Sequence, residues 1–190
     1  MHDDISIKTF LDTIFPPDQL AADETVVLSY PDNFTDRQGR EVSYYRQLRG
    51  RDANYFLVEA EPRGWLYCVS TVTAPPRGEK LRRRLQDLRW AHVLVLDDIG
   101  TKATVPPVAP SYIIETSPGN YQYGYLLEPI DVSNPQEAAH FDACLVGLAR
   151  AGYNDGGCRS ASRVVKLPGA IHKSGFVTRL EQWPPRRWWS

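Results

Sequence analysis

Apolar positions recur along this chain with two periods. Ile7, Phe10, Leu11 and Ile14 repeat at helical spacing, which predicts a helix over Ile5–Phe15, stopped by Pro16-Pro17. Val26–Tyr30 reads as a short strand followed by a polar loop through Asp32-Asn33. Tyr55–Ala60 and Trp65–Val72 are strand-like runs separated by Glu61-Pro62-Arg63-Gly64, a pattern that predicts a hairpin. Ala74-Pro75-Pro76 breaks the chain. Over Gly78–Trp90, Leu81, Leu85 and Leu88 form the stripe of an amphipathic helix whose start carries Lys80 and Arg82 to Arg84. Val93-Leu94-Val95-Leu96 then reads as a strand buried on both faces, and it ends abruptly in Asp97-Asp98.

Past the proline-rich stretch Val105–Pro110, Tyr112–Thr116 and Tyr121–Leu127 are two further strands joined at Ser117-Pro118-Gly119-Asn120, a strong turn signal. Asn134 is a good N-cap and Pro135 a good first-turn residue for a helix to about Ala151, with Phe141, Cys144, Leu145 and Leu148 inward. Gly152–Ser162 is a small polar loop. Arg163–Leu167 reads as a last core strand, and Phe176–Leu180 as a further one. From Gly78 on, the order helix, strand, hairpin, helix, strand predicts an α+β fold: a mostly antiparallel sheet backed by helices.

The chain has 190 residues, enough for one sizeable domain. Residues 1–180 are expected to form it, with a helix-and-strand part over 1–75 and a core over 76–180. Residues 181–190, rich in Trp, Pro and Arg, read as a tail or linker toward a missing downstream region. The formal net charge is −1, so no global positive field announces nucleic acid. The three cysteines are far apart without a CxxC pair, which argues against a zinc knuckle or a disulfide framework and fits a reducing cytoplasm. The acidic N-terminus lacks a signal-peptide core, and no apolar run approaches membrane-spanning length.

Three clusters carry chemistry. The first is acidic: Asp97 and Asp98 at a strand end, and Asp155 in Tyr153-Asn154-Asp155-Gly156-Gly157. Each aspartate reads alone as a turn residue. If the strand after Asp155 pairs near the strand ending in Asp97, the three converge as hard oxygen ligands for Mg²⁺ or Mn²⁺. Adjacent residues of a regular strand face opposite ways, so Asp97 and Asp98 reach one site only if the strand bulges there. The second cluster is the hairpin tip, where Ser117, Asn120 and Gln122 offer groups that cradle a phosphate or simply close a turn. The third holds Arg163, Lys166, His172 and Lys173, which read as a polyphosphate site or as a solvated basic edge.

VLVLDD, then ETSPGNYQ, then D-x7-R-x2-KLPG resemble, in order and spacing, the RepB-like primase domain of plasmid and phage replication proteins, within the archaeo-eukaryotic primase–polymerase superfamily. The resemblance covers roughly Tyr55–Lys173. It implies a metal-dependent nucleotidyl transferase with an RRM-like catalytic core, acting in the cytoplasm of a bacterial host. Its acidic motifs fall on Asp97, Asp98 and Asp155, the implied catalytic and metal-binding residues. Its Ser-Pro-x-Asn-Tyr-Gln turn falls on Ser117–Gln122, with Gln122 where much of the superfamily has a histidine. Its basic strand places Lys166 near the nucleotide, with Ser117, Asn120, Gln122, Arg163, His172 and Lys173 around it. Plasmid members often show Asp-Ser-Arg before that strand; this chain has Ala161-Ser162-Arg163.

The resemblance implies two Mg²⁺ or Mn²⁺ ions about 3.5–4 Å apart, nucleoside triphosphates as substrates and single-stranded DNA as template. A helicase domain or replication protein is a further implied partner, and no membrane is. Arg82, Arg83, Arg84 and Arg159 are DNA-binding candidates, as are Tyr121, Tyr123 and Tyr125, which share one strand face that reads equally as core. Two rivals stand beside this reading: a metal-dependent nuclease, and a non-catalytic module that binds single strands without metal. A degenerate polymerase scaffold is the blandest alternative.

Overall fold

A computed structural model describes residues 5–35, 41–50, 52–61, 63–76 and 79–183. Among these residues three helices, α1 (Ile7–Ile14), α2 (Asp52–Ala60) and α3 (Pro135–Arg150), accompany nine strands: β1 (Glu24–Thr35), β2 (Glu41–Gly50), β3 (Leu66–Cys68), β4 (Ser70–Thr73), β5 (Leu88–Ile99), β6 (Tyr112–Ser117), β7 (Asn120–Asp131), β8 (Val164–Lys166) and β9 (Arg179–Gln182). The strands form one sheet in the order β8-β3-β1-β4-β5-β7-β6-β9, with β2 also on β1, and every ladder is antiparallel. The predicted α+β class with a mostly antiparallel sheet is the observed one.

The sheet is rolled. β3 and β6 are five places apart in strand order, yet the hydroxyls of Tyr67 on β3 and Tyr112 on β6 hydrogen-bond in the core. β8 and β7 are equally distant in order, yet the Lys166 N–H donates to Gln122 Oε1 over 3.1 Å. Inside the roll lies the main core, where α1 inserts Phe10, Leu11 and Ile14 against Tyr67, Val93, Val95, Tyr112 and Ile114. Ser6 caps α1 by accepting from the Thr9 N–H, and Phe10 meets both core tyrosines edge-on. Gly124 is obligatory for this arrangement, since a Cβ there would overlap the Tyr112 ring. On the outer face α3 packs Phe141 and Leu145 against Val72, Leu88 and Ala91, capped by Asn134 as its sequence predicts.

Several local expectations are corrected. Tyr55–Ala60 is helical, because Tyr55 and Val58 bury at helical spacing; a short apolar run leaves helix and strand undecided. The hairpin expected through 61–64 is therefore a helix-to-strand connection. Trp65–Val72 forms two strands that separate at Val69, whose N–H bonds Arg163 and whose carbonyl bonds the His92 N–H. Over 79–90 there is no amphipathic helix but extended chain with a single 3₁₀ turn at Leu85–Asp87. Consecutive cations oppose a helix N-terminus there, Leu85 is 67% exposed, and Leu88 already pairs with Val72 in the sheet. β1 also continues through Asp32-Asn33, where a loop is expected, and pairs with β2, a strand that sequence patterning did not predict. In α3 Cys144 is exposed rather than inward. Gly78 and the Trp188-Trp189 pair lie outside the described residues. β9 runs through Gln182, and Trp183 packs against Phe10.

Candidate active site

The strand β5 carries the acidic pair, and its last residues break the regular alternation. Leu96 pairs with Tyr123 and Ile99 with Tyr121, so three steps on β5 answer two on β7. This is a β-bulge. Within it Asp98 has φ 59°, the only non-glycine left-handed residue among those described; aspartate tolerates that region better than most residues. Val93, Val95 and Asp97 alternate onto the inner face of the roll, and the bulge keeps Asp98 there too. Both carboxylates therefore border one cleft of about 260 Å³, together with Thr116, Asn120, Gln122, Lys166 and His172. The bulge that the adjacent aspartates required is thus present.

Each carboxylate is held. Asp97 pairs with the Arg163 guanidinium, and one of its own oxygens accepts the Asp98 N–H at 2.9 Å. Asp98 accepts from Asn120 Nδ2 at 2.9 Å and from Lys102 Nζ at 2.5 Å. Burial works to raise the Asp98 pKa, but those two hydrogen bonds and the charges of Lys102 and Arg163 outweigh it and hold the carboxyl below its ordinary value. Asp155 arrives by its loop rather than by strand pairing, since β8 pairs with β3 and not with β5. Its N–H donates to the Asp97 carbonyl over 3.3 Å. Its neighbour Asn154, 5% exposed, accepts the Asp97 N–H at 2.9 Å and donates to the Cys158 carbonyl. Asn154 thereby staples the Asp155 loop to the end of β5.

The basic side of the cleft is Lys166 and His172. Burial lowers the Lys166 pKa, opposed by the charge of Asp97. Burial, with the charges of Lys166 and Lys173, lowers that of His172. Gln122, 4% exposed, uses its carbonyl oxygen to fix the Lys166 backbone beneath the cleft. Ser117, Asp155, Arg163 and Lys173 do not line the cleft. Arg163 sits behind it on Asp97, Ser117 pairs with Asn120 in the hairpin, and Lys173 is exposed.

The DNA-binding candidates are elsewhere. Arg82 to Arg84 precede β5 at the end opposite Asp98, about 30 Å away at the usual strand rise. Arg82 and Arg84 border a second cleft of about 510 Å³ with Lys80, Glu79 and Asp87, and Arg84 is paired with Asp87 at 2.7 Å. Arg159 is exposed and donates to its own loop at the Gly156 carbonyl. Tyr121, Tyr123 and Tyr125 alternate with the buried Gln122 and, half-buried, pack against Leu96, Ile99 and Ala103 on the outer face.

Sequence reasoning did not single out Lys102 or Asn154. Their signals are present but faint: a lysine four residues after Asp98, and an asparagine immediately before Asp155.

Residues 32–177 match the RepB DNA-primase N-terminal domain. The chain belongs to that family. It is thereby a primase-type domain of replication proteins, related in general to replication nucleotidyltransferases. Its fold is similar to that of the cyanophage S-2L primase-polymerase AEP domain, with a TM-score of 0.62 and 13% identity over 96% of this chain and 91% of that one. No curated protein matches the chain. None of the described helices is long and apolar enough to cross a membrane.

Among the described residues no three His, Cys, Asp or Glu side chains are arranged as a ready-made metal cage. The donor chemistry nevertheless fits a divalent cation. The Lys102 ammonium, 2.5 Å from Asp98 and 4.0 Å from Asp155, is a stand-in ion that one charge centre can share between the two carboxylates.

Proposed function

We propose that the cleft is the active site of a template-directed nucleotidyl transferase, a DNA primase or primase-polymerase that acts in the cytoplasm of a bacterial host during plasmid or phage replication. The observation that carries this is the bulge at Asp97-Asp98, which turns two adjacent carboxylates into one cleft with Lys166 and His172 opposite. An acidic side and a basic side in one cleft suit a triphosphate whose reacting phosphorus lies between them. The reaction is attack of a 3′-hydroxyl on the α-phosphate, with pyrophosphate leaving.

Asp97, Asp98 and Asp155 are the residues that would hold two Mg²⁺ or Mn²⁺ ions. Such ions supply activation of the attacking oxygen and charge neutralisation on the leaving one. Asp98 is ionised well below neutral pH, so it needs no change of protonation to serve. Asn120 and Arg163 orient the carboxylates by bonds to Asp98 and Asp97. Asn154 fixes the distance between the Asp155 loop and β5. Lys166 is part-desolvated, which strengthens its attraction for a phosphate oxygen, and His172 donates beside it. Gln122 acts by holding the Lys166 backbone. Ser117 and Lys173 contribute at the edge, where a triphosphate tail emerges.

Single-stranded DNA is the proposed template. Arg82, Arg83 and Arg84 at the far end of β5 would meet it several nucleotides away from the reacting end. Arg159 lies on the Asp155 loop, nearer the cleft. A helicase domain or replication protein is the proposed partner.

Labelled single-stranded DNA incubated with Mn²⁺, with and without dNTPs, tests the reading. Extension products that require dNTPs are expected. Shortening of the DNA without dNTPs would make the protein a nuclease. DNA binding indifferent to metal and without either product would make it a binding module, the reading that the Arg163 and Lys102 ion pairs on the acidic residues would then favour.

A further inference from the structure

The bulge does more than aim Asp98. Its left-handed backbone starts a tight turn in which the N–H groups of Thr101, Lys102 and Ala103 all converge on the Asp98 carbonyl, at 3.2, 3.0 and 2.9 Å. Gly100, at φ 90°, closes the turn by donating to the Ala103 carbonyl. A Cβ at Gly100 would meet the Gly119 carbonyl oxygen at 2.6 Å, so no other residue fits there without movement. The turn folds Lys102 back over its own strand end. Its ammonium then lies 2.5 Å from Asp98 Oδ2 and 4.0 Å from Asp155 Oδ1. The Lys102 side chain as a whole is 69% exposed, and its ammonium is held by these contacts to the two carboxylates.

An exposed ion pair by itself contributes little. Here one ammonium serves two carboxylates that come from separate elements, at the place where the proposed reaction needs a cation. Two cations cannot share that position. We propose that Lys102 is an internal counter-ion: it occupies the divalent-cation position of the unliganded protein and must swing out into solvent when the metal enters. This rests on the reading of Asp98 and Asp155 as metal ligands and adds a competitor to it. The exposed four-carbon stem makes the exchange possible without backbone movement. In the unliganded state the same ammonium relieves repulsion between the carboxylates, so the acidic loop keeps its place before metal arrives.

The test is direct Mn²⁺ binding, followed by the loss of the free-ion paramagnetic resonance signal, in the wild-type protein, Lys102→Met and Asp98→Asn, with no nucleotide or DNA present. Methionine keeps the length of the stem and removes the charge. Wild-type binding, weak or no binding by Asp98→Asn, and binding about fivefold tighter by Lys102→Met are expected, the size following from one displaced ion pair. Thermal melting without metal provides a second readout: Lys102→Met should melt lower than wild type, and should gain more from Mn²⁺. Equal or weaker Mn²⁺ binding by Lys102→Met, with wild-type binding intact, overturns the counter-ion inference alone. No Mn²⁺ binding by the wild-type protein overturns the metal-site reading and this inference with it.

Discussion

At Asp98 the side chain and the backbone make separate demands, and substitutions can pull them apart. Asparagine keeps the left-handed conformation accessible and removes the charge. Asp98→Asn is therefore expected to fold with near wild-type stability and to lose nucleotide incorporation, as measured by circular dichroism melting beside a primer-extension assay. Asp98→Ala confounds the two, since alanine in that region costs about 1–2 kcal/mol. Asn120 bonds the same carboxylate from the hairpin tip. Asn120→Ala should reduce incorporation about 10–100-fold, the range for residues that orient a metal ligand, with a KM for dNTP that changes less than kcat; an unchanged kcat would show that Asn120 does not position Asp98. What could be read from sequence at this scale was the identity of the acidic residues and the need for a bulge. The partners Lys102 and Asn154 were not legible, because both act through contacts that only the folded turn and loop create.

The elements divide by how their burial is distributed. Helices α1 and α3 and strands β5, β6 and β7 were legible because periodicity, caps and a two-residue hairpin agree. The segments around 52–60 and 79–90 were not, because short apolar runs and a three-leucine stripe look alike whether they pack on a helix or along an edge. Gly124 is a strand-level requirement that no pattern announces: its missing Cβ leaves room for Tyr112 to cross β7 and reach Tyr67. Gly124→Ala should lower stability by about 3 kcal/mol, the upper part of the range for overpacked cores, with the loss read as a reduced urea midpoint. The pair Tyr67–Tyr112 gives a complementary check. Tyr112→Phe leaves one buried hydroxyl unpartnered and should cost about 1–3 kcal/mol, whereas adding Tyr67→Phe should recover part of that loss.

Over the whole molecule, the roll of the sheet makes the site. β5, β7 and β8 meet at the cleft although β8 stands at one end of the strand order, and sequence order alone could not place Lys166 opposite Asp97. The roll also buries His92 against Phe15 at 5.1 Å, with Nε2 unpartnered. Burial pushes its pKa down to about 4, below the ordinary value near 6.5. The unfolded chain therefore takes up a proton at His92 before the folded protein does. Stability from this residue is complete above pH 6.5 and is lost as pH falls from 6.5 toward 4, by about 3 kcal/mol in total. Urea denaturation across that range should show the decline, and His92→Gln should flatten it.

The central claim is that the bulge, the Asp155 loop and the basic strand form one metal-dependent nucleotide site. The most direct measurement is a crystal structure of the protein with Mn²⁺ and a non-hydrolysable dNTP. Anomalous density between the carboxylates of Asp98 and Asp155, with the Lys102 ammonium displaced and the triphosphate against Lys166 and His172, is the predicted result. Manganese and nucleotide bound away from these residues, at concentrations that support nucleotide incorporation, would contradict it.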